Sequence, residues 1–212
     1  MNITRCAVLA LIAASLPQLQ GCFPVVAAGA GTAALSITDR RTTGTQVDDE
    51  GIELRTANRI NERFGDKAHI NVTSFNRSVL LTGEVPDAGA RAAVEKIVLS
   101  VANVRGITNE IAVAGLSSLP SRSNDTFLTS KVKARFVDAG LFNPVHVKVV
   151  TENSTVYLFG IVTQKEAEGA VEIARTTGGV RKVVKIFEFC RETDEVCRPS
   201  EPAKPAAKKA GG

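Results

Sequence analysis

The sequence predicts an α+β protein built from two copies of one small module, each running helix–strand–strand–helix–strand. Two alignments and one pattern predict it. Residues 71–85 align with 148–162 at an offset of 77, so that Val79/Val156, Leu81/Leu158, Gly83/Gly160 and Val85/Val162 coincide. The flanking segments align at an offset of 76: Leu54–Ile60 with Ser130–Phe136, and Ile107, Ile111 and Val113 with Val183, Phe187 and Phe189. Within each copy, apolar spacing changes from helical to strand-like and back. Two units make a tandem duplication rather than a solenoid.

Each element has a local reason. A first helix is expected over 50–64 and 126–139, where Leu128, Val132 and Phe136 recur every fourth residue. Strands follow at 69–75 and 78–83, then at 145–151 and 155–160; the connections Asn76-Arg77-Ser78 and Glu152-Asn153-Ser154 carry hairpin-turn residues. Thr163 and Glu166 have the spacing of a capping box, and Pro86-Asp87 supplies helix-start residues in the first copy. Ala90, Ala93, Val94, Ile97 and Val101 form the buried stripe of that second helix, and a third strand closes the unit. The hairpin pairs antiparallel, whereas a strand–helix–strand crossover requires parallel pairing. The expected result is a mixed three-stranded sheet with two helices on one face. Units of about 65–70 residues lie near the lower size for an independent core, so the copies are expected to pack together.

The first 21 residues combine Arg5, a short apolar run and Leu19-Gln20-Gly21 before Cys22. This is a secretory signal, too short to span a bilayer. Leu-x-Gly-Cys resembles the bacterial lipoprotein box, which implies diacylglycerol and an N-acyl chain on Cys22; an ordinary secretory peptide is the alternative. Phe23, rather than Asp, follows the cysteine, which favours the outer membrane facing the periplasm. Residues 22–45 then read as a lipidated tether, with a short interfacial segment as the other reading of its Ala/Gly/Val-rich part. The modules occupy 46–113 and 124–190, separated by a linker at 114–123 and followed by a Pro/Ala/Lys tail at 191–212, expected to be disordered. With Cys6 in the signal and Cys22 acylated, Cys190 and Cys197 remain, and a structural disulfide closing a small loop is expected of them in an oxidising compartment; a redox pair is the alternative, although their spacing does not match Cys-x-x-Cys.

Composition narrows function. At 44% hydrophobic and 23% charged, the chain is neither collagen-like, coiled-coil nor wholly disordered. A net charge of +4 is too mild to indicate nucleic acid. Neither a Ser/His/Asp set, nor paired acids, nor a metal constellation is legible, so no catalytic residue, no cofactor and no enzyme activity is expected. His69 and His146 occupy equivalent places, which suggests a shared structural role, and neither has a His/Cys cluster nearby in sequence. Gly83 and Gly160 are expected to permit a backbone bend or a close helix approach.

The copies differ in charge. Residues 46–113 hold 8 basic and 10 acidic side chains, whereas 124–190 hold 9 and 7. The first helix of the second copy carries Lys131, Lys133 and Arg135, and Phe127, Leu141 and Phe142 stand where the first copy has Gly51, Gly65 and Asp66. Phe127, Ser130, Lys131, Ala134 and Leu141 fall on a face beside the Leu128/Val132/Phe136 stripe. A basic helix with spare apolar groups suits an anionic bilayer surface. The competing reading makes Phe127 and Phe142 core or inter-repeat contacts and the lysines a solvated face.

The unit, with Val-x-Leu-x-Gly-x-Val before its second helix, resembles the BON domain. Two such units behind a lipobox are similar to the dual-BON outer-membrane lipoproteins. Gly44–Asp49, Ile70–Thr73, Ser123–Thr126 and Val150–Asn153 add to the likeness, which runs from Cys22 to about Phe189. The resemblance implies non-enzymatic binding of anionic phospholipid (phosphatidylglycerol, cardiolipin) through the second domain, support of outer-membrane integrity and enrichment at division sites. The candidate site residues, read from the differences between the copies and from helical phase, are Phe127, Ser130, Lys131, Ala134, Arg135, Leu141 and Phe142. A non-enzymatic adaptor recognising envelope proteins or peptidoglycan is the rival reading.

Overall fold

The computed structural model describes residues 39–198. The signal segment, Cys22, most of the tether and the tail beyond Arg198 lie outside the described residues.

Helix α1 (Thr43–Phe64) starts where the Thr42 side chain accepts the Thr45 N–H. Strands β1 (His69–Phe75) and β2 (Ser78–Val85) form an antiparallel hairpin. Its turn places Asn76 and Arg77 at φ of 50° and 64°, the left-handed pair that matches strand twist. Helix α2 (Ala88–Leu99) is capped by Asp87, which accepts the Ala90 N–H. The chain returns as β3 (Gly106–Asn109) and β4 (Ala112–Val113), both parallel to β2.

The second module repeats the plan with α3 (Leu119–Ala139), β5 (Val147–Glu152), β6 (Thr155–Val162), α4 (Gln164–Arg175) and β7 (Lys182–Phe189). Asn153 and Ser154 take the same two turn conformations, at φ of 48° and 58°. The capping box at Thr163 and Glu166 is formed in both directions. Strand β7 pairs with β6 in parallel along its whole length.

Strand alternation divides each sheet into two faces. Val79, Leu81 and Val85 of β2 pack with Ile52, Ile60, Val94 and Val98 of the helices; Val156, Leu158 and Val162 of β6 pack with Val132, Phe136, Ala170 and Ala174. The opposite faces meet each other. Phe75 and Leu80 of the first sheet join Tyr157 and Phe159 of the second in a separate buried cluster, flanked by Val150, Ile161, Val184 and Ile186. The Phe75 and Phe159 rings stand 6.2 Å apart. Helices therefore cover only the outer face of each sheet, and the modules pack sheet on sheet.

Four expectations change in detail. The first helices begin at Thr43 and Leu119 rather than 50 and 126, so part of the tether and the end of the linker are helical. Their opening turns are exposed and capped by Thr42 and Ser118, and hence lack the apolar period that marks a helix in sequence. The third strand of module one breaks at Glu110–Ile111, because Ile111 turns into the core at 2% exposure while Asn109 Oδ1 accepts its N–H. Gly83 and Gly160 admit the neighbouring strand rather than a helix: a Cβ there would lie 2.0 Å from the His69 carbonyl oxygen and 2.4 Å from that of His146. Residues 191–198, expected to belong to the tail, are part of the described structure. Cys190 and Cys197 are disulfide-bonded, with Cα atoms 6.2 Å apart, and a short 3-10 turn at Glu195–Cys197 buries Cys197.

Candidate functional site

Helix α3 buries Asp125, Leu128, Val132 and Phe136 against its own sheet. This leaves an outer flank that no other described element covers. On it Leu119, Phe127 and Val137 are 76%, 62% and 65% exposed, and Leu141, just past the helix, is 63% exposed. At about 100° per residue, Lys131 and Ala134 lie within about 40° of Phe127, and Ser130 and Val137 lie about 60–80° to one side. Ser130, Lys131, Lys133 and Ala134 are all exposed. Thus Phe127, Ser130, Lys131 and Ala134 share one exposed helix face, and Leu141 is exposed beyond its C-terminal end.

Two expected site residues are placed elsewhere. Gly140 ends the helix in the left-handed conformation at φ 58°, so the consecutive side chains Leu141 and Phe142 diverge. Phe142 turns inward at 9% exposure and meets Phe136 edge-on, 5.0 Å between centroids. It is core, not surface. Arg135 is half-buried and donates to the Ile173 carbonyl at 2.8 Å and Thr177 Oγ1 at 2.7 Å, at the end of α4. Its counterpart Arg59 donates to Ser100 at the end of α2. A cation near the carbonyl end of a helix offsets that end's partial negative charge. The arginine is therefore a fastener shared by both modules. Lys131 is exposed, and its ammonium donates to the Gly178 carbonyl at 3.1 Å.

Some functional geometry was not legible in sequence. Asp49 and Asp125 are buried at 3% and 6% exposure beneath the hairpin turns. Asp49 accepts the N–H groups of Asn76 and Arg77 and the Ser74 hydroxyl; Asp125 accepts the N–H groups of Asn153 and Ser154. Recurrence of Asp at the 76-residue offset was the available signal.

The root of the N-terminal segment is fastened to the second module. Arg40 donates to Glu166 at 2.6 Å and to the Ile161 carbonyl at 2.8 Å. Burial raises the Glu166 pKa, but hydrogen bonds from Arg40, the Thr163 N–H and His146, with the Arg40 charge, outweigh it and hold the carboxyl at about 2. Arg40 and Leu141 line the same cleft, along with Lys165, Val196 and Arg198. Among the described residues no helix is long and apolar enough to cross a membrane.

Comparison with known proteins agrees with this architecture. The BON domain pattern matches residues 48–115 and 124–190. The chain is 36% identical over 191 residues to the outer membrane lipoprotein DolP of Haemophilus influenzae, covering 89% of this chain and 99% of the relative. It is 33% identical over 153 residues to the 21 kDa hemolysin of Actinobacillus pleuropneumoniae, covering 71% and 79%. The osmotically-inducible protein Y of Escherichia coli is 29% identical over 117 residues, covering 54% and 58%. With both modules matched and nearly the whole length shared with one relative, the chain belongs to the BON-domain family.

Proposed function

We propose that this chain is an outer-membrane lipoprotein, acylated at Cys22 and facing the periplasm, whose second module binds anionic phospholipid through the α3 flank. One observation carries the reading: Phe127 stands exposed on the helix that bears the exposed Lys131 and Lys133, and Leu141 stands exposed just past its end, where the first module has two glycines, Gly51 and Gly65. Apolar side chains enter the acyl boundary while lysines meet headgroup phosphates, each worth about 1 kcal/mol near an anionic surface. Phosphatidylglycerol and cardiolipin are the fitting headgroups.

The Haemophilus relative, an outer membrane lipoprotein, supports the location. The 17 residues between Cys22 and Arg40 reach at most about 60 Å when fully extended. Within that limit of chain length the flank, whose Leu141 lines the same cleft as Arg40, stays within reach of the bilayer that holds the anchor. The role that follows is support of outer-membrane integrity, including at division sites.

The test is co-sedimentation of the unacylated Cys22→Ser chain with phosphatidylglycerol vesicles. Phe127→Glu combined with Lys131→Glu is expected to weaken binding about tenfold or more while leaving the circular dichroism melt intact, because both side chains are exposed. Full binding by that folded variant overturns the reading. Indifference of the parent chain to anionic vesicles favours an adaptor for envelope proteins or peptidoglycan.

A further inference from the structure

The two histidines stand at the entrances of equivalent strands, His69 as the first residue of β1 and His146 just before β5, yet their surroundings differ in charge. His146 Nδ1 lies 3.2 Å from Glu166, whose carboxylate is neutralised by Arg40. His69 Nδ1 lies 3.2 Å from Glu84, directly across the hairpin. A second carboxylate, Glu152, reaches the same place from β5 of the other module. One ligand atom from each of His69, Glu84 and Glu152 lies within 4.8 Å of the others.

Both glutamates are buried, at 7% and 8% exposure. Their remaining partners are neutral: Asn71 Nδ2 at 2.7 Å and the Thr82 hydroxyl at 3.2 Å for Glu152, and the Ser117 N–H at 3.2 Å for Glu84. Among the described residues no lysine or arginine pairs with either carboxylate. Arg122 lines the adjoining cleft but donates its Nε to Ser117 Oγ. Two buried carboxylates with at most one imidazolium leave an uncompensated negative charge, which is costly away from water.

We infer that His69, Glu84 and Glu152 form a divalent-cation site that ties the two modules together. One imidazole nitrogen and two carboxylates suit a borderline cation such as Zn²⁺, with water completing the shell. The cleft lined by His69, Asn71, Arg122 and Glu152 gives access. Sequence gave little warning, because the acids lie 15 and 83 positions from the histidine, one of them in the other repeat.

The chain has only two histidines, so imidazole NMR of the chelator-treated full chain in detergent reads the site directly. One equivalent of Zn²⁺ is expected to move the His69 resonances and leave those of His146 in place, and to raise the melting temperature. Glu152→Gln is expected to weaken Zn²⁺ binding about tenfold or more. No His69 response at millimolar Zn²⁺, an equal response of both histidines, or undiminished affinity in folded Glu152→Gln overturns the site. Should Glu152→Gln fail to fold, the two-histidine readout on the parent chain decides alone.

Discussion

The first and second modules share a framework but not a surface. Asp49 and Asp125 hold the hairpin turns, Arg59 and Arg135 fasten the second helices, and Gly83 and Gly160 let the first strand pass. These positions recur because the fold needs them. What differs is the outer flank of the first helix and the groups that neutralise the two histidine–glutamate pairs. Recurrence alone does not sort residues by role: Arg135 recurs and fastens a helix, Phe142 stands in one copy and is core, and His69 recurs with different neighbours. Among the single-copy residues exposure makes the distinction, Phe142 being buried and Phe127 open to solvent.

The comparison breaks most visibly at the turn aspartates. Asp49 serves two backbone N–H groups, the Ser74 hydroxyl and Arg41, whereas Asp125 serves two N–H groups. Removing a buried carboxylate strands those donors. Asp49→Ala is therefore expected to cost roughly 3–4 kcal/mol and Asp125→Ala roughly 2–3 kcal/mol in urea unfolding. Equal costs would mean that the extra partners contribute little.

Acid sharpens the contrast next. Glu166 has an ordinary pKa of 4.5 and is held at about 2 when folded. Its contribution is complete above the ordinary value and fades as pH falls through that range toward the folded value. The stability gap between the parent chain and Glu166→Gln is expected to be on the order of 3 kcal/mol at neutral pH and to close toward pH 2. A gap that stays constant with pH would sever the link to Arg40.

The smallest effect runs the other way. Thr56 Oγ1 is, among the described residues, the buried side-chain polar atom without a hydrogen-bond partner, and the equivalent position holds Val132. Thr56→Val is expected to stabilise by about 1 kcal/mol, seen as a higher urea midpoint with unchanged slope.

Much of the fold was legible because a duplication states each pattern twice. The turn residues, the caps at Asp87 and Thr163 and the strand alternation all read directly. Helix starts did not, since polar exposed turns carry no apolar period. The interrupted third strand did not either, because one inward Ile111 decides it. For the flank, sequence separated Leu128 from Phe127 by helical phase but could not separate Leu141 from Phe142. Their divergence depends on the left-handed Gly140, a backbone fact rather than a compositional one. The His69 cluster required the two modules to be placed against each other.

Back-to-back sheets have a geometric consequence for the assembled molecule. The four helices among the described residues form two shells on opposite sides, so a flat bilayer can lie against one shell only. If the later repeat settles on the lipid, the earlier repeat is held away from it, its own helices turned toward the periplasmic interior. One half then acts as the foot and the other as a platform, a division of labour set by which outer helix carries exposed apolar and basic side chains.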